Sequence, residues 1–290
     1  MIVGTNWKMN KTRDEADEFA AALRTGLGEA GEEVTVFVIP PFTAVDRVVT
    51  GLAGTPTLVG VQNIHWAESG PYTGEISAIQ ARDAGASLVE VGHSERRVLF
   101  GDTDEIVARK ARSVVTAGLT ALVCVGESDE MYRLGRSVEY VTGQVATAIS
   151  LLPPGETPRL WIAYEPVWAI GEGGRAADPD HVRRVHEGIR TELSYRLGDT
   201  VAAAVPILYG GSVSLQNAAS FLAVPEVDGL FVGRTALDPG RFVELIRLAA
   251  NLQKKNSTVG KEGYQGYVRT MDKKKAIGET PPTAGNVGSV

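Results

Sequence analysis

The chain has 290 residues, 43% of them hydrophobic, and a formal net charge of −6. That is enough apolar material for one large domain or two small ones, and the negative balance argues against nucleic acid and anionic membranes as partners. A lone cysteine, Cys124, excludes an intrachain disulfide and a cysteine-based metal site.

No run of roughly 18 or more apolar residues is present, so no membrane-spanning helix is expected. The first residues, Met-Ile-Val-Gly-Thr-Asn-Trp-Lys, have neither the basic region nor the apolar stretch of a secretory leader. The expected location is cytoplasmic.

Apolar runs that should form short strands lie, in order, at 2–5, 34–39, 57–61, 88–91, 120–125, 160–164, 205–208 and 229–232. Helical periodicity falls between them at 14–27, 45–52, 77–84, 104–117, 137–151, 178–197 and 214–222, and after them at 239–252. Strands alternating with helices demand a parallel sheet with helical crossovers. Eight such units over about 250 residues suit an α/β fold of the closed (β/α)8 barrel type, a single domain over 1–252. The rival, an open doubly wound sheet, rarely needs eight units, and its Gly-x-Gly-x-x-Gly turn does not follow the first strand. From 253 to 290 the composition changes to seven basic and three acidic residues without apolar period. This basic tail is expected to be largely disordered; a solvated tail is a simpler reading than an RNA-binding arm.

The stretch 160–174 suggests chemistry. An apolar strand ends in a carboxylate, Glu165; Pro166 stops the pairing; an apolar loop at 167–170 and a glycine-rich run at 171–174 follow. A base beneath a water-excluding lid would have this form, and so would a salt-bridged strand-end Glu beside a surface loop. In a parallel barrel the site forms at the carboxyl ends of the strands. Those ends carry Asn6 and Lys8 after the first strand, His93 after the fourth and Glu165 after the sixth. Glycine-rich turns follow the sixth, seventh and eighth. A cation, an imidazole and a carboxylate thus meet at one mouth beside turns rich in backbone N–H. No metal-ligand cluster and no cofactor motif stand out, so neither a metal nor a cofactor is expected.

Five motifs carry a resemblance: Asn6-Trp7-Lys8-Met9-Asn10, Tyr72-Thr73-Gly74-Glu75-Ile76-Ser77, Gly92-His93-Ser94-Glu95-Arg96-Arg97, Ala163 through Gly171, and Leu208-Tyr209-Gly210-Gly211-Ser212-Val213. In this order they resemble the triosephosphate isomerase family over residues 1–252. The resemblance implies a TIM barrel that moves a carbonyl along a short phosphorylated sugar through an enediolate. Removing a proton beside a carbonyl needs a base over the carbon and an electrophile on the oxygen. Glu165 would be the base, His93 the electrophile, Lys8 the counter-charge, and Asn6 a residue orienting substrate oxygens. The closing lid and the neutral imidazole are known features of triosephosphate isomerase itself, so they come with the resemblance rather than from the spacing. The phosphate would be held by backbone N–H groups of Gly171, Ser212, Gly233 and Arg234. Thr73 resembles the tip of the family's dimer loop, with Glu75 facing Arg96 across a homodimer interface.

The chain departs from the usual pattern at several points. Thr5 stands where Gly or Ala is common, and His65-Trp66 follows Gln62-Asn63. The lid reads Gly171-Glu172-Gly173-Gly174-Arg175-Ala176, and Arg234 replaces the second glycine of a phosphate-binding pair. Arg234 can still turn its N–H inward with a negative φ. As a set these departures are similar to a branch that converts L-erythrulose 1-phosphate to D-erythrulose 4-phosphate. Three readings follow: the tetrulose phosphate isomerase, the triose phosphate isomerase, and a non-catalytic phosphosugar-binding protein on the same barrel.

Overall fold

The computed structural model describes residues 1–153, 159–171 and 173–255. Beyond residue 255, the tail expected over 253–290 lies outside the described residues. Residues 1–250 form one compact unit.

Its centre is a closed barrel of eight parallel strands in sequence order, each hydrogen-bonded to the next and the last to the first. These are β1 Ile2–Asn6, β2 Thr35–Ile39, β3 Leu58–Val61, β4 Leu88–Val91, β5 Thr120–Val125, β6 Leu160–Tyr164, β7 Ile207–Gly210 and β8 Gly229–Val232. Strands this apolar are buried on both faces, as barrel strands must be. One face fills the interior, where Phe37 packs between Phe231 at 5.5 Å and Trp161 at 5.7 Å. The other meets amphipathic helices such as Arg13–Leu27, Asp104–Thr116 and Pro179–Leu197, whose buried residues recur at helical spacing. Thr12, Thr103 and Asp178 cap the amino ends of these helices.

Most expected boundaries shift by a residue or two, and two of the shifts have a plain cause in the chain. β7 begins at Ile207 rather than at 205, because Val205 is used in the turn that closes an unforeseen helix, Asp199–Ala203, its N–H donating to Ala202. Pro206 follows with no N–H to offer, and Asp228 then accepts from the Ile207 N–H at 2.8 Å. The helix expected over 214–222 is only Ala218–Leu222. Asn217 reaches back to the Ser214 N–H at 2.8 Å and donates to the Ser212 carbonyl at 2.8 Å, which makes 214–217 a turn. Short helices at Ala30–Glu33 and Asp129–Arg133 were also not foreseen.

Candidate active site

The mouth is assembled from strand ends. β1 delivers Asn6 and then Lys8, whose φ of 54° is unusual for a side chain-bearing residue. The conformation is held from several sides. The Lys8 N–H donates to Asn6 Oδ1 at 2.6 Å, the Lys8 carbonyl accepts from Gln62 Nε2 at 2.7 Å, and its ammonium donates to Glu95 at 2.7 Å. Asn6 was expected to face substrate. Its oxygen accepts from Lys8 and Gln62, and one N–H of its amide donates to Glu90 Oε2 at 2.6 Å, which leaves the second N–H for a ligand.

β4 delivers His93, the cap of the helix Ser94–Phe100. The Glu95 N–H donates to His93 Nδ1 at 3.2 Å. A ring nitrogen that accepts from a backbone N–H carries no proton of its own, so a neutral ring has its hydrogen on Nε2. That Nε2 lies 3.8 Å from Glu165 Oε2. β6 ends in Tyr164, and the Glu165 N–H donates to the Val125 carbonyl at 2.7 Å, which continues the ladder one residue further. Two glycines make room. A Cβ at Gly126 would lie 1.9 Å from the Glu165 carbonyl oxygen, and one at Gly210 would lie 2.9 Å from the Glu165 side chain. Glu165 is 7% exposed, and its Oε2 has no hydrogen-bond partner. A free carboxylate oxygen and a ring N–H side by side are suited to take a proton from one atom and give a hydrogen bond to its neighbour.

The lid follows directly. Val167–Ala169 is a single 3-10 turn whose Trp168 donates to Glu127 at 2.9 Å. Glu127 is buried and also meets Tyr164, His181 and Ser137. Burial works to raise its carboxyl, but hydrogen bonds from His181, Trp168 and its own backbone N–H outweigh that and hold it below the ordinary range. Sequence reasoning passed over Glu127; the visible signal was a Gly-Glu pair after the fifth strand, parallel to the Gly-His pair after the fourth. Arg175 closes over Trp168 and Tyr132 at 5.0 and 5.4 Å and donates to Asp129 at 3.1 Å. On the far side Ser212 Oγ donates to the Ala169 carbonyl at 2.8 Å, and Arg234 donates to the Gly171 carbonyl at 2.8 Å.

Gly171, Ser212, Gly233 and Arg234 all line one cleft of about 650 Å³, together with Lys8. Arg234 opens a short 3-10 turn and is not among the residues of positive φ, so the substitution for glycine is unstrained. Its guanidinium brings a second cation to the end of the cleft.

Glu90, His93 and Glu165 place ligand-type atoms within 4.8 Å of one another, a spacing that a metal ion could use. The donor set argues otherwise. A metal on His93 Nε2 would leave the ring hydrogen on Nδ1, where Glu95 N–H already donates. The cluster is better suited to handling protons.

The loop of the expected dimer contact is exposed at Thr73 and Glu75. It is braced by His65, whose backbone N–H donates to the Ile76 carbonyl at 2.8 Å, whose Nδ1 accepts from the Ala67 N–H at 3.0 Å, and whose ring stacks on Trp66 and Tyr72. This gives the unusual His65-Trp66 pair a structural place. Within the chain Arg96 pairs with Asp102 at 3.1 Å rather than with Glu75.

A closed barrel whose strand ends bring together a carboxylate, an imidazole and an ammonium, beside a cleft lined by Gly171, Ser212, Gly233 and Arg234, has the form of a sugar-phosphate isomerase of the (β/α)8 class. A family profile described as triosephosphate isomerase matches residues 1–249. The chain belongs to the triosephosphate isomerase family. Among curated relatives, the L-erythrulose-1-phosphate isomerase of Brucella abortus biovar 1 (strain 9-941) is 42% identical over 253 residues, 87% of this chain and 97% of the relative. That of Mesorhizobium japonicum is 42% identical over 249 residues, 86% and 96% of the two chains. The triosephosphate isomerase of Rubrobacter xylanophilus is 43% identical over 248 residues, again 86% and 96%.

Proposed function

We propose that the protein interconverts L-erythrulose 1-phosphate and D-erythrulose 4-phosphate. In this reading Glu165 takes the proton from the carbon beside the carbonyl and returns it to the neighbouring carbon. The His93 Nε2–H holds the carbonyl oxygen as it becomes an enediolate, and Lys8 offsets the added charge. Asn6 acts through Lys8 by fixing its backbone. Gly171, Ser212, Gly233 and Arg234 hold the phosphate. The observation that carries this reading is the 3.8 Å approach of Glu165 Oε2 to His93 Nε2 at the strand ends, where Lys8 also emerges and lines a cleft shared with Arg234.

The tetrulose substrate is supported by relatives that bear that name and by Arg234, which adds a donor where a longer substrate could place its phosphate. The triose reading is supported by the Rubrobacter relative of equal similarity. Relative kcat/KM for the two phosphosugars decides between them. A preference of tenfold or more for the triose pair would overturn the tetrulose assignment. Binding without exchange of solvent deuterium into either ligand would instead favour the non-catalytic protein.

We further infer a homodimer acting in the cytoplasm. Val98, Leu99 and Phe100 are 72%, 69% and 66% exposed in one run beside Arg96, an apolar surface that a partner subunit would cover. The loop with Thr73 and Glu75 would enter that contact. Sedimentation showing only monomer would remove this part. The division into a barrel over 1–252 and a tail over 253–290 belongs to the same reading, and a chain ending at residue 252 should keep full activity.

A further inference from the structure

β4 carries a residue that the proposed chemistry leaves unused. Glu90 follows Leu88 by two positions, so the two share the inward face of the barrel, with Glu90 one layer nearer the mouth. Leu88 is part of the apolar interior cluster, yet Glu90 beside it is a carboxyl with no exposed surface. No Lys or Arg forms an ion pair with it among the described residues. Around it stand Asn6 from β1, Cys124 from β5, His93 beyond β4 and Glu165 beyond β6, while the nearest cation, Lys8, is committed to Glu95.

A buried carboxylate costs a great deal of free energy unless it is paired, and a second carboxylate at this distance makes ionisation costlier still. Burial, followed by the Glu165 charge, drives the Glu90 carboxyl well above the usual range, against the opposing Asn6 and Cys124 hydrogen bonds and the more distant Lys8. The network also says where the proton resides. The Lys8 N–H can only donate, so the Asn6 atom that receives it is the oxygen, and the Asn6 nitrogen must be the atom that donates to Glu90 Oε2. That leaves Oε1 as the oxygen for a proton; it lies 3.6 Å from Cys124 Sγ, a thiol that donates to an ionised Glu90 and can accept from a protonated one. An O–H donated to that sulfur would leave the thiol hydrogen for Glu165, whose charge, after burial, is what most raises the Cys124 thiol.

We propose that Glu90 is a positioning residue, a carboxylic acid kept neutral beneath the mouth, whose two oxygens fix Asn6 on one side and the Cys124–Glu165 pair on the other. Through Asn6 it reaches the backbone of Lys8; through Cys124 it orients the base. Its neutrality leaves Glu165 the only carboxylate anion of the cluster it forms with Glu90 and His93. This inference rests on Glu165 being the base.

Glu90→Gln and Glu90→Leu separate the alternatives. Gln has the shape of the protonated acid, accepts from Asn6 and donates toward sulfur. It should keep kcat/KM within about threefold and leave the acid limb of the pH–rate profile in place. Leu leaves the Asn6 amide unpaired and the base unsupported, and kcat should fall by about tenfold to a hundredfold. If Glu90 is charged in the resting protein, Gln removes an anion beside Glu165 and moves the acid limb to lower pH by a unit or more; that result overturns the proposal. So does a Leu variant with wild-type kcat and profile. If Leu does not fold, infrared difference spectra of wild type against Glu90→Gln at neutral pH still decide. A protonated-carboxyl band present in wild type and missing from the variant supports the neutral acid, and a carboxylate band in its place refutes it. Glu165→Gln serves as the control: an active Glu165→Gln protein would defeat the functional reading itself, whatever Glu90 does.

Discussion

The two sides of the barrel mouth are built differently. The side with Lys8, His93 and Glu165 stands on strand ends and is fixed by buried groups: Asn6 is 7% exposed, His93 5% and Glu165 7%. The side with the lid, Ser212 and Arg234 stands on turns, and polar contacts across the cleft hold it, with Arg234 and Arg175 in solvent-exposed pairs. Barrel strands tolerate little movement, so the first side can keep reacting groups within a fraction of an ångström. Turn-borne contacts are weaker and reversible, which suits a cover that must admit and release substrate. Substitutions on the strand side should therefore cost turnover, and those on the turn side should cost binding and closure.

The sharpest test of the strand side is Glu165→Gln. It should lower kcat by roughly 10²–10⁴-fold with little change in KM, because it removes the proton acceptor and keeps the shape. Gly210→Ala comes next. The added carbon would sit 2.9 Å from the Glu165 side chain, and displacing the base should cost about a hundredfold in kcat while the melting temperature changes little. A Gly210→Ala protein with normal kcat would show that Glu165 has more freedom than the barrel suggests.

The same contrast explains what the sequence disclosed. β4, β5, β6 and β8 were legible to the residue because each is a short, almost wholly apolar run, and His93 and Glu165 stood out as polar residues at the ends of β4 and β6. β7 was misjudged because Val205 belongs to the apolar run but hydrogen-bonds to the preceding turn. Glu90 went unremarked although its position in Leu-Val-Glu-Val places it on Leu88's face; a charged residue on the inward face of a buried strand was the available signal. Glu127 also acts through Tyr164 and His181, and Arg175 through Asp129, partners 37 to 54 positions away, and such pairings have no local trace.

On the turn side, Arg234→Gly removes a guanidinium that lines the cleft and holds the Gly171 carbonyl. A charge-assisted hydrogen bond of about 1.5 kcal/mol corresponds to roughly tenfold, so KM for the phosphosugar should rise by that factor with kcat within about threefold. If Arg234 selects the longer substrate, the loss falls more heavily on the tetrulose phosphate than on the triose. An equal loss for both would make Arg234 a phosphate contact without a voice in specificity.

The smallest effect belongs to Arg175, and its salt dependence makes it informative. Arg175 stabilises the lid in two ways, through an ion pair with Asp129 and by lying over Trp168 and Tyr132. The arginine is 56% exposed and the aspartate 37%, so the ion pair contributes at most about 1 kcal/mol and is screened by salt. The cation–π contact, at about 0.5–1 kcal/mol, depends less on ionic strength. Arg175→Ala should therefore reduce kcat/KM by about threefold to tenfold at low salt. Arg175→Lys, which keeps a charge but loses the flat guanidinium face, should fall between the two. Raising the salt should shrink the gap between wild type and Ala only in part. A gap that closes completely would assign the whole effect to Asp129, and one that does not move would assign it to the rings of Trp168 and Tyr132. Either result says which contact holds the lid down, whereas on the strand side no comparable salt dependence is expected, because Asn6, His93 and Glu165 are shielded from the ions that would screen them.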